Sequence, residues 1–211
     1  DINKIFQFLE HPEKGYGPLL SCKTLVVSPI SMRPTIVGLI NHEIKNAKAG
    51  KPAAITIKLN SLSDVDLIKK LNDAAVAGVT INMIVRGIFC ALVDHKKFNA
   101  KPRAISIVDE YLEHARVMIF CNGGKEKVYI SSADWMVRNI DHRVEAAVPI
   151  LDPAIKKELQ DIIHIQLQDN VKARVLDSAL LNNYVPLGSK KKIRSQIETY
   201  LYLQQKTNSK K

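Results

Sequence analysis

The residues that could do chemistry in this chain cluster at the ends of apolar runs. Lys58 and Asn60 close the run AAITIKL, Arg86 closes VTINMIV, and His114 stands just before ARVMIF. Arg138 and Arg143 follow the polar segment Ser131-Ser132-Ala133-Asp134. In open α/β sheets, ligands bind beyond the carboxyl ends of the strands, so these residues converge on one edge. Cations, an imidazole and small amide or hydroxyl donors suit phosphate, since arginine offers a bidentate fork and lysine a point charge. Arg86 carries the sharpest signal. It emerges from the apolar run Met83-Ile84-Val85, and a guanidinium there must be paired or bound to an anion. His114 and Arg116 lie two apart at a strand start, so both side chains can face one phosphate.

Each signal has a plainer reading. Asn60-Ser61 can cap the following helix, and Asp134 can cap Trp135-Met136. Trp135 reads as a packing anchor. Arg138 and Arg143 sit in a polar stretch where solvated charge is usual, and Arg86 could be a structural ion pair. His11, His42, His95 and His164 have no chemical context and read as surface. No GxxxxGK[ST], GxGxxG, HExxH or GxSxG pattern occurs, so a phosphate site here must rely on side chains.

The elements that hold these residues follow from patterning. DINKIFQFLE reads as an amphipathic helix with Ile2, Ile5, Phe6 and Leu9 on one face. LVV (25–27) is a short buried strand. A helix follows from Ser31, with Ile36, Ile40, Ile44 and Ala47 as its stripe, to Gly50. AAITIKL (53–59) and VTINMIVRG are strands around a helix that opens with Ser63 and Asp66 in capping-box spacing and closes at Gly78. Two alternating runs around Asn122-Gly123 predict a hairpin. VEAAVPI (144–150) is a further strand, and Asp152-Pro153 starts a helix whose Ile155, Leu159, Ile162, Ile163 and Leu167 face inward. A small strand at 173–176 and a basic helix at 190–203 complete the chain. The fold expected is α/β, with a mixed, mainly parallel sheet flanked by helices.

Composition narrows the partners. The 211 residues hold 31 Lys and Arg against 21 Asp and Glu, a formal charge of +10. That balance favours polyanions: nucleic acid, phosphorylated polymers or acidic membrane surfaces. Part of it comes from a tail rich in lysine, with Lys190, Lys191, Lys192, Arg194, Lys206, Lys210 and Lys211, which reads as solvated. Three cysteines without C-x-x-C spacing indicate neither a disulfide framework nor zinc, and fit a reducing cytoplasm. No apolar stretch reaches the roughly 18 residues of a membrane span. Only 6% of residues are aromatic, too few for a series of base-stacking platforms, so specific nucleic-acid binding is not expected.

Several segments together resemble a known family. LVVSPISMR, GKPAAITIKLNSLSD, INMIVRGIFC, YLEHARVMIF, VYISSADWMVRNIDHRVE and VPILDP, in this order over residues 25 to 176, resemble the last domain of polyphosphate kinase. The resemblance implies a phospholipase D-like fold, since the two C-terminal domains of that family resemble the two halves of phospholipase D-type enzymes. It implies reversible transfer of the terminal phosphate of ATP to inorganic polyphosphate through a phosphohistidine that lies in the preceding domain. His114 with Arg116 would be this half's version of the His-x-Lys element, and His114 its catalytic residue. Arg86 and His114 would contact ATP or chain phosphates, with Arg143, Arg138, Lys58 and Asn60 as further phosphate-binding candidates.

The same likeness implies a division into residues 1–20 (end of a preceding domain and linker), 21–176 (catalytic lobe) and 177–211 (basic extension). ATP and ADP would be substrates, and magnesium would bind in the full enzyme outside this chain, which is expected to hold no metal ligand. Expected partners are polyphosphate, ATP, the other domains of the same chain and further copies in a homo-oligomer. The expected location is the cytoplasm, with peripheral attachment at the inner membrane as an extension of that reading. The chain alone would be inactive. Two alternatives stay open at this point: a phospholipase D-type phosphodiesterase half, and a nonenzymatic module that binds polyanions or nucleic acid.

Overall fold

Apolar runs punctuated by glycine, proline and acidic caps fold locally where their periodicity dictates, and the ends of those runs set the site. A computed structural model describes residues 1–188 and 191–208. Its elements in order are α1 (Ile2–Glu10), α2 (Gly17–Leu20), β1 (Val26–Val27), α3 (Met32–Lys48), β2 (Ala54–Leu59), α4 (Val65–Ala77) and β3 (Thr80–Val85). They continue as β4 (Arg103–Ile107), β5 (Arg116–Phe120), β6 (Lys127–Ser131), β7 (Ala146–Pro149), α5 (Pro153–Leu167), β8 (Ala173–Val175) and α6 (Ser195–Asn208).

The strands form one sheet in the order β1-β7-β6-β5-β2-β3-β4-β8. It is mixed and flanked by helices, as expected, but its balance needs correction. Only β2–β3 and β3–β4 are parallel, and the other neighbours are antiparallel. The strand–helix rhythm that implies parallel pairing runs out after β3, and the later strands are joined by hairpins and returns. Even β1 and β2 are not neighbours, because α3 carries the chain from the sheet's edge to its centre. β4 is the strand the patterning did not reveal: it is short, follows Pro102, and mixes Arg103 and Ser106 with its apolar positions.

Helices α3 and α4 cover one face, burying Ile36, Ile40, Leu67 and Leu71 against Ile55, Ile57, Leu59 and Trp135. Helix α5 covers the other, where Ile163 meets Ile84, Ile105, Val117 and Val128. Helix α6 lies outside α5, joined to it by Tyr202 with Asp161 at 2.9 Å and Lys206 with Glu158 at 3.0 Å. The apolar face expected of α1 is largely open, and the inward face of α5 is shorter than expected. In α1 it is Phe8 that is buried against Leu19 and Val27, while Ile2, Phe6 and Leu9 point to solvent. In α5, Ile155 sits in the first turn, beyond the sheet's reach, and is 54% exposed.

Caps are where local chemistry decides. Asp64, not Ser63, caps α4 by accepting the Leu67 amide at 3.0 Å, a role open to Asp64 because the helix starts one residue later than the capping-box spacing suggests. Gly78 ends α4 with φ of 91°, a left-handed conformation that suits glycine. Asp152 caps α5 as expected, accepting the Ala154 and Ile155 amides. Helix α6 begins at Ser195 and holds a single cation, Lys206, in its last turn. The basic run was expected inside the helix but precedes it, since cations at a helix N-terminus oppose the dipole. Tail residues Lys190, Lys210 and Lys211 lie outside the described residues.

Arg33 of α3 locks this scaffold together. Its guanidinium donates to Asp64 at 3.0 and 2.6 Å and to Asp141 at 2.8 and 2.6 Å, joining the start of α4 to the π-turn Arg138–His142. Burial pushes the Asp64 carboxyl up, but Arg33 and the Leu67 and Asp66 amides outweigh it and hold it below its ordinary value. Arg33→Ala leaves the Asp64 side chain, 1% exposed, without its counterion. The expected loss is about 2–3 kcal/mol in urea unfolding, below a fully buried pair because Arg33 itself is partly solvated. A carboxyl with a depressed folded pKa stabilises fully above its unfolded value, here 3.8, and stops doing so as pH falls through the folded one. Stability of the parent chain should therefore fall with acid in that window, more steeply than in Asp64→Asn.

Candidate functional site

The carboxyl ends of β2, β3 and β6 meet the start of β5 because β5 runs antiparallel between β2 and β6. The backbone of Asn60 and Ser61, just past β2, has amides with no strand partner. Asp134, 4% exposed, supplies the missing acceptor: its Oδ1 takes the Asn60 amide at 2.7 Å and the Ser61 amide at 3.0 Å. Arg116 completes the shell, donating from Nε to Oδ1 at 3.2 Å and from Nη2 to Oδ2 at 2.9 Å. Burial pushes the Asp134 carboxyl up, but Arg116 and the two amides outweigh it and hold it below its ordinary value. Asp134 therefore does not cap Trp135-Met136. The amides it serves belong to another strand. Trp135 is the packing anchor expected, 1% exposed.

Arg116 also fixes His114, donating from Nη1 to the His114 carbonyl at 3.0 Å. The imidazole lies between two guanidiniums: Nε2 is 3.0 Å from Arg116 Nη2 and Nδ1 is 3.2 Å from Arg86 Nη2. A neutral imidazole has one lone pair and one N–H, so only one of these contacts is a hydrogen bond. Arg86 in turn donates to Asn60 Oδ1 at 2.5 Å. The close approach needs Gly87, where a Cβ would stand 2.9 Å from the Asn60 carbonyl oxygen. Among the described residues no carboxylate pairs with Arg86, and its Nε is buried without an acceptor.

The expected site residues divide cleanly. Arg86 contacts both His114 and Asn60. Lys58 is not an open phosphate ligand. Alternation along β2 turns it toward α5, where its 6% exposed ammonium pairs with Glu113 and donates to Gln166 at 2.8 Å. Burial lowers its pKa, only partly offset by Glu113. Arg138 and Arg143 are exposed at the same end of the sheet, and no hydrogen bond or ion pair ties their guanidiniums to the Arg86–His114 cluster. The π-turn that carries them is held by Asn139, which donates to Glu145 at 2.6 Å.

Residues missed by pattern are Arg33, Glu113 and Gln166, each paired across a long sequence separation. Only the adjacency of Glu113 to His114 could have flagged one of them. Asp134 is filled by Arg116 and two amides, Glu113 by Lys58 and Gln166, and no group of three His, Cys, Asp or Glu among the described residues could hold a metal.

A family model described as polyphosphate kinase C-terminal domain 2 matches residues 25–196. The chain belongs to the polyphosphate kinase family. Polyphosphate kinase of Escherichia coli (strain K12) is 46% identical over 203 residues, which is 96% of this chain and 29% of that protein. The crystal structure of polyphosphate kinase from Porphyromonas gingivalis superposes with a TM-score of 0.93 at 41% identity, covering 99% of this chain and 32% of that one. The chain thus spans under a third of the relatives it matches. The phospholipase D family member Nuc from Salmonella typhimurium shares the fold, with a TM-score of 0.53 at 16% identity, covering 73% of this chain and 97% of its own.

In this polyphosphate kinase segment, Asp134→Ala removes the acceptor of two amides and strands Arg116, whose side chain is 13% exposed. The expected cost is about 3–4 kcal/mol in urea unfolding. Asp134→Asn keeps an acceptor for the amides and should lose roughly half as much. Equal midpoints for parent and both variants would remove Asp134 from its structural role.

Proposed function

We propose that this segment holds the nucleotide and chain phosphates of a polyphosphate kinase that moves the terminal phosphate of ATP reversibly to inorganic polyphosphate. The observation that carries the reading is Arg86: a guanidinium with a buried, unpartnered Nε and no carboxylate, beside an imidazole. Such a group is costly to leave without an anion, and phosphate oxygens match its fork. Family membership supports a phosphate of ATP or of the polymer as that anion. A nucleotide substrate supports the cytoplasm as the location in this reading. No described helix is long and apolar enough to cross a membrane.

In this reading the phosphoryl acceptor is a histidine outside these residues, which share the enzyme with further domains. The bond from the terminal phosphorus to the bridging oxygen of ATP breaks, and a bond from phosphorus to that histidine nitrogen forms. The phosphorus–nitrogen bond then breaks as a terminal oxygen of the polymer attacks. Charge in the loose transition state spreads over the three peripheral oxygens, so stabilisation is largely electrostatic. Arg86 holds that charge, and His114 bonds the transferred group or protonates the leaving oxygen. Arg138 and Arg143 offer open cations to the polymer farther along the edge.

Two outcomes test this. In a complete polyphosphate kinase carrying this segment, Arg86→Ala and His114→Ala should each lower turnover at least about a hundredfold, or about 2.7 kcal/mol. Arg86→Lys should recover part, lacking the bidentate fork. Near-normal turnover in both alanine variants would reduce these residues to bystanders. The 211-residue chain alone should bind polyphosphate with steep salt dependence yet take no acid-labile label from radiolabelled ATP. Label on His114 would overturn the assignment of the acceptor.

A further inference from the structure

The loop 108–115, between β4 and β5, presents His114 but has little hydrophobic anchorage of its own. Its apolar side chains Val108, Tyr111 and Leu112 are 65%, 67% and 74% exposed. What orders it is polar: Lys172 pairs with Asp109, Lys58 and Gln166 hold Glu113, Arg116 holds the His114 carbonyl, and a further set of bonds comes from the far end of the chain. Arg194 donates to Asp109 at 2.8 and 2.7 Å and to Glu110 at 2.9 Å. Gln196 bonds the Tyr111 backbone on both sides, accepting its amide at 3.0 Å and donating to its carbonyl at 2.8 Å. The same Gln196 Nε2 reaches Glu113 Oε1 at 3.1 Å, leaving Oε2 to Lys58 and Gln166.

The far end of this strap is itself anchored. Ser195, fully buried, donates its amide to Asp169 Oδ2 at 2.7 Å. The other Asp169 oxygen accepts the amides of Val171, Lys172 and Ala173 at the start of β8. Asn170 adds bonds to the Ile193 backbone and the Lys191 carbonyl. Residues 191–196 therefore run between a rigid anchor on the sheet and the loop that carries His114. The Arg194 guanidinium holds the Asp109 carboxyl below its ordinary value, so this pair stays charged at neutral pH.

We infer that Arg194 and Gln196 are positioning residues, a latch by which the C-terminal extension sets His114 against Arg86. The inference deepens the phosphate-site reading and rests on it for the meaning of the placement. Neither residue touches the ligand position. Arg194 acts through the Asp109 and Glu110 carboxylates and Gln196 through Glu113 and the Tyr111 backbone, so their loss should loosen the site while the sheet persists.

The test is hydrogen exchange on the 211-residue chain with Arg194→Ala and with Gln196→Ala, alongside tripolyphosphate affinity. Amides of 108–115 should exchange at least about tenfold faster while those of β2 and β3 hold, since local opening is separable from global unfolding. Tripolyphosphate affinity should fall about five- to tenfold, and Arg194→Lys should restore part of both. Lys206→Ala, which removes the Glu158 ion pair and a contact with the Tyr202 ring, should change neither, separating the latch from general helix docking. Unchanged exchange in 108–115, or faster exchange throughout the chain, would overturn the inference. A parent chain that fails to bind tripolyphosphate at low salt would instead defeat the phosphate reading, and exchange alone would then judge the latch.

Discussion

One buried carboxylate, Asp134, sets the geometry on which the rest of the site depends. Two amides at the end of β2 and one guanidinium at the start of β5 all require an acceptor in the same place. Because an unmet amide in a dry site is costly, the residue after β6 must reach back across two strands. That single demand fixes the spacing of three strand ends. With Arg116 held there, the His114 carbonyl and ring are placed in turn, and the Asn60 amide oxygen is left facing Arg86. The chemistry is a consequence of backbone satisfaction.

The cations sort by whether a carboxylate has already claimed them. Arg33 has Asp64 and Asp141, Lys58 has Glu113, Arg116 has Asp134, and Arg194 has Asp109 and Glu110. These are structural: each joins elements distant in sequence, and each would leave a buried or half-buried charge if broken. Arg86 is different. Among the described residues its guanidinium is met by an amide oxygen and an imidazole and by no carboxylate. An excess of +10 favours polyanions, and the pairing pattern leaves Arg86 as the candidate position for one. Composition alone could not distinguish Lys58 from Arg86, although one is closed within the protein and the other remains open to an anion.

What the sequence made legible was local. Strands β2, β3, β5, β6 and β7 and helices α3, α4 and α5 follow from periodicity and caps, and the hairpin at Asn122-Gly123 from its turn chemistry. So does the choice of Arg86 and His114, since a cation leaving an apolar run is visible without a structure. The remainder was non-local. Whether Lys58 points to solvent or to α5 depends on which helix covers that face, and its partner Gln166 lies 108 residues away. The parallel bias of the sheet failed for the same reason: strand–helix rhythm reports the chain between two strands, not which earlier strand a returning hairpin will join. Glu43 shows the limit well. It reads as a polar position on an amphipathic helix, yet it is fully buried because the Ala54 and Asn122 amides need its two oxygens.

The imidazole of His114 shows why this edge reads as one side of a binding site. Flanked by two guanidiniums, it can accept from one, and the N–H at its other nitrogen then faces a cation. Donor against donor is a frustrated contact, and no described protein acceptor relieves it. An anionic oxygen placed between Arg86 and that N–H would accept from both, turning a repulsive pair into two charge-assisted or polar hydrogen bonds. The same oxygen would satisfy the orphaned Arg86 Nε. One ligand oxygen group thus resolves two local deficits that the chain leaves standing, and a tetrahedral phosphate can present separate oxygens to each. The strain is confined to the residues that would touch the ligand, while Asp134, Glu113 and their cations stay satisfied around it. In the proposed reading, the carboxylate-paired residues place atoms, and the unmet donors lie where phosphate would enter.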